Sequence, residues 1–139
     1  ATVLMASGED LPENVKVVIA DCGYTSEWDE FQREADTLHI PWFPVLNATS
    51  VLSKVRDGYD FKQASALAQV KKSRIPTLFI HGSSDELVPY GMLGELYAAA
   101  ACEKEELTVE GAGHALSSSV APTLYWRTVE DFIAKYLDR

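Results

Sequence analysis

Three short apolar runs separated by helical patterns constrain this chain more than any other feature. They are VKVVIA (15–20), TLFIHG (77–82) and ELTVEG (106–111). The first two are continuous β-branched or aliphatic stretches rather than alternating ones, as expected of strands covered on both faces. Between the second and third, MLGELYAAAAC (92–102) puts Leu93, Leu96, Tyr97 and Ala100 on one helical face. After the third, Pro122 stands where a helix starts, and Leu124, Tyr125, Val129, Phe132, Ile133, Tyr136 and Leu137 recur at helical period. Strand, helix, strand, helix, strand, helix predicts an α/β fold in three layers: about three parallel strands with right-handed crossovers and helices on both sides.

The remaining segments are less regular. ATVLMASGED opens within a helix-like pattern with no capping side chain before it and Gly8 at a plausible end. Between Asp21 and Arg74 two helices are expected, over 26–38 and 60–72, the second opened by a capping box of Asp60 and Gln63. HIPWFPVL (39–46) is apolar, but Pro41 and Pro44 argue against both helix and strand. This region reads either as ordinary packing over a sheet edge or as a cap in which Trp28, Phe31, Trp42 and Phe43 line an apolar substrate pocket. The chain is treated as one domain over 1–139: a partial helix and strand (1–23), a cap region (24–74) and a core (75–139).

A formal charge of −9 argues against nucleic acid as a partner, because that role needs clustered Lys and Arg. The two cysteines, Cys22 and Cys102, form no CxxC, and His39, His81 and His114 stand apart. No metal-ligand spacing and no cofactor motif is read. No apolar run approaches a membrane span in length.

The chemistry lies in the loops after the strands. HGSSDELVP follows the second strand and GAGHA the third, and parallel strands bring their C-terminal ends to one edge. Asp85 and His114, 29 residues apart, are therefore placed to meet. A carboxylate there orients the imidazole and stabilises it when it takes a proton. Taken singly, an Asp after a strand is most often a turn or cap residue, and a His after glycines is often a plain loop residue.

The run IPTLFIHGSSDELVP, the GAGHA segment and the closing LYWRTVEDFIAKYL resemble the C-terminal half of the α/β-hydrolase superfamily. They are similar to a bacterial branch of esterase- or peptidase-like serine hydrolases with a helical cap. The resemblance covers essentially the whole chain and implies that Asp85 is the catalytic acid, His114 the general base and 24–74 the cap. Asp21 is a minor rival as the acid. The resemblance also implies a nucleophilic serine in a G-x-S-x-G elbow just upstream of Ala1, with the oxyanion-binding N–H groups there too. No such elbow occurs in this sequence: Ser7 precedes Gly8 late in a helix, and Ser83, Ser84 and Ser117 to Ser119 lie in the acid- and base-bearing loops. Cys22 is the best internal substitute, but Tyr24 stands where close strand–helix packing asks for glycine.

The expected function is thus part of a serine hydrolase cleaving ester, amide or thioester bonds, without cofactor, on a small-molecule or peptide substrate. The alternative is a non-catalytic acidic α/β binding or interaction module. A phosphate-binding turn at Gly111-Ala112-Gly113 is disfavoured, because His114 occupies the turn and no third glycine follows at the required spacing. Without a neighbouring strand, the outer edge of 15–20 presents unpaired backbone groups with Lys16 its sole charge, so a homodimer through that edge is expected. Cellular location is not legible; cytoplasmic and membrane-anchored both remain open.

Overall fold

The computed structural model describes residues 1–137. Three parallel strands form one sheet in the order β1-β2-β3: β1 (Val18–Asp21), β2 (Thr77–Gly82) and β3 (Lys104–Val109). Around them lie α1 (Thr2–Ala6), α2 (Glu27–Thr37), α3 (Trp42–Asp57), α4 (Ala66–Val70), α5 (Gly91–Ala99), α6 (Ser117–Val120) and α7 (Pro122–Leu137). The three-layer α/β reading holds.

Each layer follows from the pleat of β2, which is buried along its whole length. Leu78 and Ile80 point to one side, where Val129, Phe132 and Tyr136 of α7 close over them. Phe79 points to the other, into a cluster with Val18 and Ala20 of β1, Leu4 of α1, Ala66 and Val70 of α4, and Leu93, Leu96 and Ala100 of the α5 segment. Helices therefore cover both faces of the middle strand, which is why its sequence is apolar without alternation. On α7 the predicted stripe is right at its centre and wrong at its ends. Leu124 is 49% and Leu137 63% exposed, while Val129, Phe132 and Tyr136 between them are buried.

Several boundaries differ from the sequence reading. The first strand begins at Val18 rather than Val15, since its ladder starts where the Val18 N–H meets the Pro76 carbonyl at 2.9 Å. β3 runs over 104–109, two residues earlier than expected, in register with Thr77–Gly82. The proline-interrupted stretch leads into a sixteen-residue helix, α3. Phe43, forced out of the helical region by the following Pro44 (φ −99°, ψ 129°), takes up the interruption, and Pro44 then sits in the first turn of the regular helix. The helix expected over 60–72 shrinks to α4. Asp60 spends its carboxylate on the Lys62 N–H, the Ser50 hydroxyl and the Lys54 ammonium, and Ser65 caps the helix by accepting from the Ala68 N–H at 3.1 Å.

The segment after β1 is stitched to the core at its two ends. Ser26 and Ser65 form an antiparallel bridge, the Glu27 N–H donates to the Ala64 carbonyl at 3.0 Å, and the Leu67 N–H donates to the Thr25 carbonyl at 2.9 Å. α4 consequently packs in the core, while α2 and α3 stand outside it. α3 turns Ala48, Val51, Leu52 and Val55 outward at helical spacing, Val55 being 80% exposed. No described helix is long and apolar enough to cross a membrane.

Candidate active site

The C-terminal ends of β2 and β3 carry the two loops singled out in the sequence, and their approach depends on Gly82. A Cβ built there would stand 2.2 Å from the Ala112 carbonyl oxygen, so only glycine lets the end of β2 lie against the GAG turn. The Ser84 N–H then donates to that same oxygen at 3.0 Å, and Gly111 turns the chain with φ +73°. The loops are locked together before any functional side chain is placed.

On this platform His114 Nδ1 and Asp85 Oδ2 are 2.9 Å apart. A carboxylate only accepts, so the imidazole donates its Nδ1–H and leaves the Nε2 lone pair free. Asp85 is held by its other oxygen as well: Oδ1 accepts from the Leu87 N–H at 3.0 Å and the Val88 N–H at 2.9 Å. Its side chain is fully buried while that of His114 is 36% exposed. Burial pushes the Asp85 carboxyl up, but the Val88 N–H, the His114 hydrogen bond and charge, and the Leu87 N–H outweigh it. The group lies below its ordinary value. The pair is a fixed acceptor anion beneath an imidazole that reaches solvent.

Two residues that the sequence reading left out hold the Asp85 loop. His81, on β2 and 1% exposed, donates from Nε2 to the Val88 carbonyl at 3.0 Å, and that nitrogen is also 3.3 Å from Asp85 Oδ2. Arg33 of α2 donates to the Leu87 carbonyl, linking the outer helix to the acid-bearing loop. The period of β2 carried the signal for His81, which falls on the Phe79 side of a strand buried throughout.

Cys22 follows β1 and lies beneath the same loop. Its Sγ accepts the Ala115 N–H at 3.1 Å and donates to Asp21 Oδ1 at 3.1 Å. Cys22 and Ala115 both have left-handed backbones, with φ 54° and 56°, in a region that non-glycine residues rarely occupy. Burial pushes the thiol up to about 12, with the Asp21 and Asp85 carboxylates adding to the shift against the Ala115 N–H. A thiol so protonated is a poor nucleophile near neutral pH. Asp21 accepts from the Cys22 thiol, and burial together with the Asp21 charge pushes the Tyr125 hydroxyl up to about 12. Cys22, Asp85 and His114 nonetheless bring one sulfur, one carboxylate oxygen and one ring nitrogen within 4.8 Å of one another.

The four aromatic residues read as pocket-lining are divided among three places. Trp28 borders a small cleft with Thr25, Ser26, Asp29, Lys62, Ser65 and Leu67, the Lys62 ammonium standing 4.4 Å from its ring centre. Phe31 packs against Phe61 at 4.9 Å between ring centres. Trp42 and Phe43 meet edge to face at the head of α3, where Phe43 is 66% exposed.

No family model matches the chain. Among curated proteins it is similar to the uncharacterised protein YqkD of Bacillus subtilis, 29% identical over 135 residues; the match covers 95% of this chain and 44% of that protein. Among solved structures it is similar to the esterase Pf2001 of Pyrococcus furiosus, with a TM-score of 0.68 and 16% identity over 96% of this chain and 49% of the esterase. The Pyrococcus horikoshii acylaminoacyl peptidase gives 0.65 and 15% over 95% of this chain and 22% of the peptidase. A third, the esterase domain of a Rhodothermus marinus protein, gives 0.63 and 18% over 96% and 55%. The chain thus spans less than half the length of the curated relative it matches. With its three parallel strands, flanking helices and these neighbours, the chain has the fold of the C-terminal part of an α/β hydrolase.

Proposed function

We propose that this chain supplies the proton-transfer half of a serine-hydrolase active site, with His114 as general base and then general acid, and Asp85 as its orienting carboxylate. One observation carries the reading: the 2.9 Å contact between His114 Nδ1 and an Asp85 carboxylate whose other oxygen is already fixed by two backbone N–H groups. Such a carboxylate cannot swing away, so it selects the tautomer that leaves Nε2 unprotonated. When Nε2 takes a proton from an attacking hydroxyl, the new imidazolium sits against a buried anion held below its ordinary value, and the ion pair offsets the cost of the charge. The same proton then passes from Nε2 to the leaving group of an ester, amide or thioester.

The attacking hydroxyl in this reading is a serine from a segment outside these 139 residues, in an elbow that also supplies the oxyanion-binding N–H groups. What supports this is the absence of any G-x-S-x-G in the sequence, together with a Cys22 thiol pushed up to about 12. The 139-residue chain alone accordingly turns over no p-nitrophenyl ester beyond the background of its imidazoles. The proposal extends to the rest of the notional enzyme only in class: a small-molecule or peptide substrate, no cofactor, and α2 and α3 standing over the site as its cap.

Fluorophosphonate labelling of the complete gene product tests the reading. Labelling of the wild type that is lost in His114→Ala supports it. A folded complete protein that takes no label, while a known serine hydrolase alongside does, removes the serine-hydrolase reading and leaves the non-catalytic module.

A further inference from the structure

We propose that Cys22, Asp85 and His114 form a binding site for one thiophilic divalent cation of the zinc class. The thiol, the carboxylate and the imidazole come from the loops after β1, β2 and β3, and their donor atoms lie within 4.8 Å of one another. Sulfur, carboxylate oxygen and imidazole nitrogen are the three donor types that zinc takes from proteins, at bonds of about 2.0–2.3 Å, which set tetrahedral ligand atoms about 3.3–3.8 Å apart. The observed separations bracket that range: 2.9 Å between His114 Nδ1 and Asp85 Oδ2, and at most 4.8 Å across the trio. Displacements of about an ångström or less, well within side-chain reach, would gather them around an ion.

The surroundings suit a cation as well as the donors do. Asp85 and Cys22 are buried, and the half-exposed His114 gives a path in from solvent. Asp85 Oδ1 stays bonded to the Leu87 and Val88 N–H groups, while Oδ2 exchanges its hydrogen bond from His114 Nδ1 for the ion. The Ala115 N–H on Cys22 Sγ is the kind of outer contact that steadies a metal-bound thiolate. Asp21, 3.1 Å from the sulfur, adds a second carboxylate charge beside the site. Binding is a simple exchange without redox change. The metal–sulfur bond forms as the thiol proton leaves to solvent, the carboxylate gives a lone pair, and the neutral imidazole gives another from Nδ1 once its one proton has passed through solvent from Nδ1 to Nε2, the nitrogen turned away from the ion.

The site does not depend on the hydrolase reading, although an ion there would occupy the same imidazole and carboxylate and so block proton transfer. Binding is therefore read directly, on the purified 139-residue chain. Co²⁺ is titrated while the near-ultraviolet thiolate-to-cobalt charge-transfer band is followed, and Zn²⁺ is then used to displace it. The proposal expects a band that saturates at one Co²⁺ per chain in the wild type and in Cys102→Ser, and that is absent from Cys22→Ser. It expects Zn²⁺ affinity to fall at least tenfold in His114→Gln, a variant of a part-exposed residue whose fold is checked by circular dichroism. A wild type without the band, a band that survives in Cys22→Ser, or Zn²⁺ affinity unchanged in folded His114→Gln would each overturn the proposal.

Discussion

Replacing Gly82 with alanine adds one methyl group and is expected to cost more than most core truncations of similar size. The new Cβ would meet the Ala112 carbonyl oxygen at 2.2 Å, its carbonyl carbon at 2.7 Å and its Cβ at 2.9 Å, all but the last backbone atoms with no rotamer to yield. Restoring ordinary contact at 3.4 Å requires the GAG turn to retreat from the end of β2 by about 1.2 Å. That movement stretches the 3.0 Å bond from the Ser84 N–H to Ala112 O beyond hydrogen-bond range and carries His114 away from Asp85. Overpacking of this kind costs about 1–3 kcal/mol, and each broken hydrogen bond adds about 0.5–1.5 kcal/mol. Gly82 has no left-handed backbone, so the lower entropy of an unfolded alanine chain acts the other way, by only about 0.4–1 kcal/mol. The clash wins, with a net loss of about 2–4 kcal/mol from a domain whose whole stability is of order 5–15 kcal/mol. Urea denaturation followed by tryptophan fluorescence measures it. A Gly82→Ala midpoint equal to or above that of the wild type, with an unchanged m-value, would show that the two loops do not meet as described.

Other consequences follow from the same packing and charges. Phe132→Ala, at a fully buried ring wedged against Leu78 and Ile80, is expected to lower stability by about 3–5 kcal/mol in the same assay, and a loss under about 1 kcal/mol would contradict the placement of α7. Asp85 lies below its ordinary value when folded, so it contributes stability above the unfolded carboxyl value near ~3.9, and that contribution disappears as pH falls through the lower folded value. The stability gap between wild type and Asp85→Asn should therefore close in acid, and a gap independent of pH would refute the shift. In β1 the N–H groups of Val18 and Cys22 bond into β2, so by alternation those of Ile19 and Asp21 face the outer edge. We expect a homodimer through that edge, seen as sedimentation above monomer mass at micromolar concentration with slow, concentration-dependent exchange of the Ile19 and Asp21 amides; a monomer in which both exchange rapidly removes it.

Elements whose residues announce their burial were legible in the sequence. TLFIHG coincides with β2 residue for residue because both of its faces are covered, and Pro122 marks the start of α7 because its missing N–H costs nothing there. α3 was not legible. Pro41 and Pro44 signal interruption, and nothing local shows that Phe43 alone would absorb it while Val45–Asp57 remain helical. α4 was displaced for a related reason: Asp60 can cap a helix or close a turn, and the Lys54 ammonium on the far side of the loop decides for the turn. At the site, the meeting of Asp85 with His114 follows from strand order, which parallel topology makes readable. The same argument brings Cys22, directly after β1, to that edge, but no spacing motif shows that its sulfur comes within 4.8 Å of the Asp85 and His114 donor atoms. The burial of His81 was legible from its place in an apolar strand, but its partner was not, since that shows only once the Val88 carbonyl is folded back over it.

The claim that Asp85 and His114 act as one unit is tested most directly by a double-mutant cycle on hydrolysis of a p-nitrophenyl ester by the complete gene product. Wild type, Asp85→Asn, His114→Ala and the double variant are compared by kcat/KM, each checked for its fold. Residues that work as a unit lose their combined effect with the first removal, so each single variant should fall by about 10³–10⁴-fold or more, with the double variant close to His114→Ala alone. Losses that multiply across the two sites, or a His114→Ala protein that keeps its rate, would contradict the reading.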